Sequence, residues 1–215
     1  MSDAYPHELL EDVEELAGLR GWNEEVYRDI LATQRGELSE FAFREKYCWR
    51  QAILSLDMTG FTATTMRGGE MDSLLRIFNA QKVSVPVLRE YGSHLMRCFA
   101  DDIVALFEDP NAALDAAFEI HRRIALFNAS DLASDHPAEC CVGIGYGQIL
   151  AIGPNLAQGD EMNKASKLGE DIARATETLL TEQAHDALSS RSDVVFERQT
   201  LDDQIFPFFQ ATLIR

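Results

Sequence analysis

Basic residues are scarce in this chain: 19 Lys and Arg stand against 36 Asp and Glu, a formal net charge of −17 over 215 residues. A protein that tracks a nucleic-acid backbone needs clustered cations to displace counterions, so that class of function is excluded. A small anionic ligand is not excluded, because backbone amides and a few metal ions hold phosphates against an acidic background. Most of the surplus carboxylates read as solubilising surface. Cysteines are few as well. Cys48, Cys98, Cys140 and Cys141 form no CxxC pair and have no partnering histidine spacing. This argues against a zinc site or a disulfide framework and for reduced thiols. None of His7, His94, His121, His136 and His185 stands at a spacing that suggests a metal site or a nucleophile–base pair.

An apolar leader is missing too. MSDAYPHELLEDVEEL is acidic and has no h-region, so it does not read as a signal peptide. The run Cys140–Ala157 carries no charge, which raises the question of a membrane span. It includes Gly143, Gly145, Gly147, Gly153 and Pro154, which suit strands and turns better than a helix in lipid. The expectation is a soluble, cytoplasmic chain without a membrane anchor.

What is present divides at about residue 46. Residues 1–46 are acid-rich and predict an N-terminal helical extension, with Leu9, Leu10, Val13, Leu16 and Leu19 and then Val26, Ile30 and Leu31 near a 3.6 period. Such a segment would pack on the main domain or on a second copy of it. Residues 47–215 predict a single larger domain. AILSLDM reads as a buried strand entering a glycine turn, and Met71, Leu74, Leu75, Phe78, Val85 and Leu88 as a long amphipathic helix stopped near Gly92. HLMRCFA and IVALF predict a hairpin with Asp101-Asp102 at its tip. Asp109-Pro110 opens a second helix lined by alanines and by Ile120 and Ile124. ECCVGIGYGQILAI gives a strand or strand pair, a third helix covers Glu161 to about Ala173, and VVFERQ and FFQATLI close the domain as strands. The order predicts an α+β fold: a ferredoxin-like βαββαβ antiparallel sheet with helices on one face, plus extra C-terminal strands.

Two acids stand out by position. Asp57 ends the first strand, and Asp101 sits at the tip of a hairpin whose second strand neighbours the first in a βαββ arrangement. Paired carboxylates there suit Mg²⁺ or Mn²⁺, whose hard coordination is completed by substrate phosphates. On the residues alone, an Asp57 that caps a turn and a solvated Asp101-Asp102 loop account for the pattern equally well.

Four segments in order shift that balance. Asp57-Met58-Thr59-Gly60-Phe61-Thr62 resembles the D-I-x-G-F-T signature of class III adenylate and guanylate cyclases. Arg97-Cys98-Phe99-Ala100-Asp101, running on to Ala105-Leu106-Phe107, is similar to the family's K-x-x-G-D…A-x-F hairpin. Gly143-Ile144-Gly145-Tyr146-Gly147-Gln148-Ile149 resembles its G-I-x-x-G-x-V strand, and Gly159 to Leu168 its G-D-x-V-N-x-A-x-R-L helix. Each is weak alone; the ordered set covers roughly residues 50–180.

The resemblance implies that Asp57, Asp101 and the backbone carbonyl of Met58 hold two divalent metal ions, Mn²⁺ or Mg²⁺. It implies that the amides of Thr59, Gly60, Phe61 and Thr62 cradle a nucleoside triphosphate, in the manner of backbone anion nests. Gly60 lets the backbone approach the phosphates. Family members place the site at a head-to-tail homodimer interface, where Asn163 would orient the ribose from the second protomer. The reaction implied is in-line attack of the 3′-hydroxyl on the α-phosphate, catalysed by positioning and charge neutralisation.

Departures from the pattern concern charge and base. The family's transition-state arginine falls on Lys167, which keeps the charge and loses the bidentate fork. The glycine before the second aspartate is Ala100, a mild change for a hairpin. Purine readers use a Lys and an Asp or Thr where this chain has Arg97 and Leu156. Leu156 makes no hydrogen bond, and Arg97 is an all-donor fork suited to a carbonyl-rich edge. These features look like the stand-alone pyrimidine cyclases of bacterial anti-phage (Pycsar) defence. They lead to the expectation of UTP conversion to cyclic UMP, with CTP next and a separate cyclic-nucleotide effector downstream. Tyr47 and Trp49 could stack on a base, with core or hinge packing the simpler role. A purine cyclase with an unusual pocket and a non-catalytic nucleotide-binding module remain the alternatives. Lys167 and Leu156 favour the latter; Asp57, Asp101 and Asn163 oppose it.

Overall fold

The computed structural model describes residues 9–58, 69–133, 136–153, 156–200 and 206–214, with the backbone alone for Leu95 and Leu156. The chain divides into two compact units, residues 1–48 with 150–157 and residues 49–149 with 158–215.

In the first unit, helices α1 (Val13–Gly18), α2 (Glu24–Gln34) and α3 (Glu40–Tyr47) each begin at a residue that caps them. Asp12, Asn23 and Ser39 accept from the amides of Glu15, Val26 and Ala42, satisfying donors that a helix start leaves free. Val26, Phe43, Tyr47 and Ile152 form the small core, with Trp22, Ile30, Leu38 and Leu150 packed around it. The Tyr47 hydroxyl donates to Asp29 at 2.8 Å, so this ring belongs to the core rather than to a base platform. The leucine period at the start of the chain is not a buried face. Leu9, Leu10 and Leu19 are exposed and α1 buries nothing.

The second unit carries β1 (Cys48–Met58), α4 (Glu70–Glu90), β2 (Leu95–Phe99), β3 (Asp102–Phe107), α5 (Pro110–Asn128) and β4 (Cys140–Ile152). The end of β4 and most of β5 (Leu156–Gln158) fall in the first unit. There follow α6 (Asp160–Lys167), a π-helical turn at Leu168–Ile172, β6 (Thr178–Thr181), α7 (Glu182–Leu188), β7 (Val194–Gln199) and β8 (Phe208–Leu213). The sheet order is β2-β3-β1-β4-β6-β8-β7, with β5 paired to β4. Its first four strands are the expected βαββαβ order, β1 pairing antiparallel with β3 through Leu54↔Ala105 and Leu56↔Ile103. β4 and β6 are parallel.

Alternate residues of each strand build one core. Ala52, Leu54, Leu56 and Met58 of β1 join Ile103, Ala105 and Phe107 of β3 and Val142 and Ile144 of β4, against α4, α5 and α7. The small Ala113, Ala116 and Ala117, fully buried, let α5 lie close to the sheet. Asp109 caps α5 and Pro110 opens it, as expected. Helix α4 ends with Gly92 at φ 83° and the Ser93 amide bonded back to Leu88.

Its start departs from expectation. Met71, Leu74, Leu75 and Phe78 are exposed, while Ser73, Ile77, Ala80 and Ser84 face inward. An apolar stripe reveals a helix but not which side the core lies on. The strand β6 and helix α7 were not legible in the sequence. TLLT is only four residues long, and all four are buried, so it shows no alternation.

Candidate active site

β4 runs Gly143, Gly145, Gly147 along the face turned away from α4 and α5, and α6 lies directly on that bare backbone. A methyl at Gly143 would come 2.1 Å from the Ala165 carbonyl oxygen, and one at Gly145 2.7 Å from that of Glu161. These glycines are therefore a contact surface for a helix and not a dinucleotide loop. The π turn that follows holds Gly169 against β1, where a methyl would meet the Ser55 carbonyl at 2.6 Å. Cys141 Sγ closes this seam, reaching the carbonyl oxygens of Gly169 at 3.1 Å and of Asp57 at 3.6 Å.

Asp57, Asp101 and Asp102 gather at the end of this seam. One step beyond the Leu56↔Ile103 pair, Asp57 faces Asp102 across the β1–β3 ladder. Asp102 is itself paired with Phe99 of β2, leaving Ala100 and Asp101 as the hairpin turn. Ala100 takes φ 50°, the left-handed region that favours glycine, so its strain is greater than the sequence suggested. Burial, the Asp101 charge and hydrogen bonding to Asp102 push the half-buried Asp57 carboxyl up to about 7. Asp102 is raised by burial and by Asp101. Negative charge is thus crowded beyond what water-exposed acids tolerate, and a divalent cation would relieve it.

Among the described residues no group of three or more His, Cys, Asp or Glu side chains forms a ready metal cage. A pair of carboxylates is nonetheless the donor set that Mg²⁺ uses when phosphates and water complete its coordination, so Asp57 and its neighbours fit such an ion.

The remaining candidates lie around this cluster. Arg97, opposite Val104 on edge strand β2, shares the face of Asp102, and its charge offsets a small part of the upward shifts of Asp102 and Glu170. Glu170, on the π turn, is raised by burial and by the Asp102 charge. Asn163 and Lys167 stand four apart on the exposed face of α6, and Lys167 is ion-paired with Asp171 at 3.0 Å. Met58 is buried. Thr59, Gly60, Phe61 and Thr62 lie outside the described residues, and Leu156 is described only as backbone in β5. Sequence reasoning missed Asp102 and Glu170. The hairpin register, extended from Leu56 and Ile103, would have given Asp102. Nothing local signals the π turn that brings Glu170 within reach.

The fold is that of class III nucleotide cyclase catalytic domains. The adenylyl cyclase CyaB from P. aeruginosa superposes with a TM-score of 0.65 at 17% identity, covering 78% of this chain and 96% of that one. An adenylate/guanylate cyclase/hydrolase from Silicibacter pomeroyi gives 0.63 at 22% identity, with 78% and 98% covered. The guanylate cyclase domain of RhGC from Catenaria anguillulae, in complex with GTP, gives 0.64 at 14% identity, with 77% and 97% covered. No protein-family model matches the sequence. No curated protein matches it either.

Proposed function

We propose that this chain is a nucleotide cyclase that converts a nucleoside triphosphate into a 3′,5′-cyclic monophosphate and pyrophosphate. The observation that carries the reading is the crowded carboxyl group of Asp57 beside Asp101 and Asp102, on a fold shared with cyclase catalytic domains. Asp57, Asp101 and the Met58 carbonyl would hold two divalent cations, which supply positive charge against the triphosphate. The 3′-hydroxyl gives up its proton to solvent and its oxygen attacks the α-phosphorus in line, the new 3′-O–P bond forming as the bond to pyrophosphate breaks. Thr59 to Thr62 bind the phosphates through their amides. Asn163 of a second copy orients the ribose, and Lys167 of the same helix offsets charge at the α-phosphate. Lys167 must first leave Asp171 to do so. The exposed Met71, Leu74, Leu75 and Phe78 of α4 support assembly as a homodimer, since a contiguous apolar stripe on a soluble chain marks an interface.

Base choice follows from Arg97 and Leu156. An all-donor guanidinium and a side chain with no polar atom favour a pyrimidine with carbonyl edges, so UTP is the expected substrate and CTP the next. The product would act as a second messenger in anti-phage defence through a separate effector. Incubating the protein with ATP, GTP, CTP and UTP separately in Mn²⁺, and identifying products by mass, tests the reading. Cyclic UMP or cyclic CMP supports it in full, and a purine product keeps the chemistry and removes the base assignment. The Lys167–Asp171 ion pair favours one second reading, a nucleotide-binding module without turnover, and absence of product with all four triphosphates would select it.

A further inference from the structure

The helix that carries Asn163 and Lys167 has no side chain of the glycine track beneath it to lock onto. Side chains interdigitate where most helices pack, and that fixes their position. Here α6 rests on Gly143, Gly145 and Gly147, whose backbone fixes how near the helix sits but offers no knobs against sliding or rotation. Besides the buried Met162 and Ala165, one polar side chain supplies what the glycines omit. Glu161 is 5% exposed, and its Oε2 accepts from the Thr181 hydroxyl at 2.6 Å and from the Tyr146 amide at 3.2 Å. Its Oε1 accepts from Lys164 Nζ at 3.3 Å. The Thr181 hydroxyl accepts in turn from the Ala184 amide at 3.2 Å, as the cap of α7. A single carboxylate thus ties α6 to β4 and β6 and, through Thr181, to α7.

We propose that Glu161 is a positioning residue that sets the register of α6 on its glycine track, and so places Asn163 and Lys167 against the ribose and α-phosphate. The roles of those two side chains rest on the cyclase reading; the docking itself does not. A buried carboxylate is a poor device for stability alone, because an apolar replacement of similar volume is often neutral or stabilising. Its geometry is its use. Two donors from different strands, the Tyr146 amide of β4 and the Thr181 hydroxyl of β6, meet at one carboxylate and so oppose both translation and rotation of the helix. A misplacement of about 1 Å costs an enzyme on the order of a hundredfold in rate while leaving the fold intact.

Glu161→Met, which keeps the bulk and removes the acceptors, is compared with Glu161→Gln, which keeps an acceptor for Thr181 and Tyr146. Product formation, thermal unfolding and amide exchange over α6 and α5 are measured for each. The expected result is that Glu161→Met melts close to wild type and loses about a hundredfold in kcat, with KM within about threefold. Glu161→Gln recovers most of the rate. Thr181→Val falls between, and combining it with Glu161→Met lowers the rate no further, as expected for members of one linkage. Unchanged kcat in Glu161→Met, whatever its melting temperature, overturns the proposal. Should Glu161→Met fail to fold, Thr181→Val and Glu161→Gln carry the same comparison. Should wild type form no product, the cyclase reading fails and exchange decides the docking. Faster exchange across residues 160–167 with α5 unchanged sustains it, and equal protection refutes it.

Discussion

The two faces of the sheet are covered in opposite ways. Against one face, α4, α5 and α7 bury Val87, Leu88, Ile120, Leu188 and their neighbours, so the contact is made of side-chain volume. Against the other, α6 sits on Gly143 and Gly145 and the π turn brings its own Gly169 against β1, so these contacts are made by leaving side chains out. The first arrangement can absorb a lost methyl by repacking. The second has no slack, and it is the face where Asp57, Asp102, Arg97 and Glu170 converge. The larger apolar core lies on one side of the sheet and the charged cluster on the other, where Leu168, Leu179 and Phe208 add a smaller apolar cluster.

Breaking the chemistry of the polar face has the largest expected effect. Asp57→Ala should reduce cyclic nucleotide formation on the order of a thousandfold while the protein stays folded, read by product mass and circular dichroism. Next comes the contact itself. Gly143→Ala drives a methyl into the Ala165 carbonyl and should cost about 3 kcal/mol or more in urea unfolding, against about 1 kcal/mol for Ile120→Val on the opposite face. Similar costs for the two would erase the distinction between the faces.

A smaller effect separates the faces by pH. Asp57 holds its proton up to about 7 in the folded chain, and an unfolded aspartate releases it near the ordinary value of about 3.9. The folded state therefore binds more protons between those limits. Its contribution to stability is full below about 4 and declines as pH rises towards 7, where it levels off. Melting of the metal-free protein should fall across that window, Asp57→Asn should flatten the fall, and Mn²⁺ should raise melting more at pH 8 than at pH 5. A profile that Asp57→Asn leaves unchanged would remove the carboxyl crowding from the account. Smallest is Ala100→Gly. It relieves a left-handed alanine in the hairpin and should gain about 0.5–1 kcal/mol, the backbone relief being partly offset by a freer unfolded chain.

Much of the apolar face was legible in the sequence because its signals are local. AILSLDM, the Asp109-Pro110 start and the α5 alanines state their element and their inward side within a few residues. The exposed stripe of α4 misled because periodicity carries no information about where the partner layer sits. On the polar face the ordered motifs gave Asp57 and Asp101, whereas Asp102 required strand register and Glu170 required a π turn. Glu161 marked only the start of the third helix in the sequence, since its partners Tyr146 and Thr181 come from two other strands.

The glycine strand also bears on the order of assembly. A strand with glycine at alternate positions has little intrinsic tendency to extend and no apolar edge on that side to nucleate around. Its parallel partner β6 arrives only after α6 and the π turn have been laid across the sheet. Long-range parallel pairing closes slowly, whereas the β2–β3 hairpin rests on nearer contacts. The α6 contact should therefore condense after the β2–β3 hairpin. Mutations along the track, Gly145→Ala among them, should speed unfolding far more than they slow folding. The helix that carries Asn163 and Lys167 then docks on a sheet whose acids already face each other across β1 and β3.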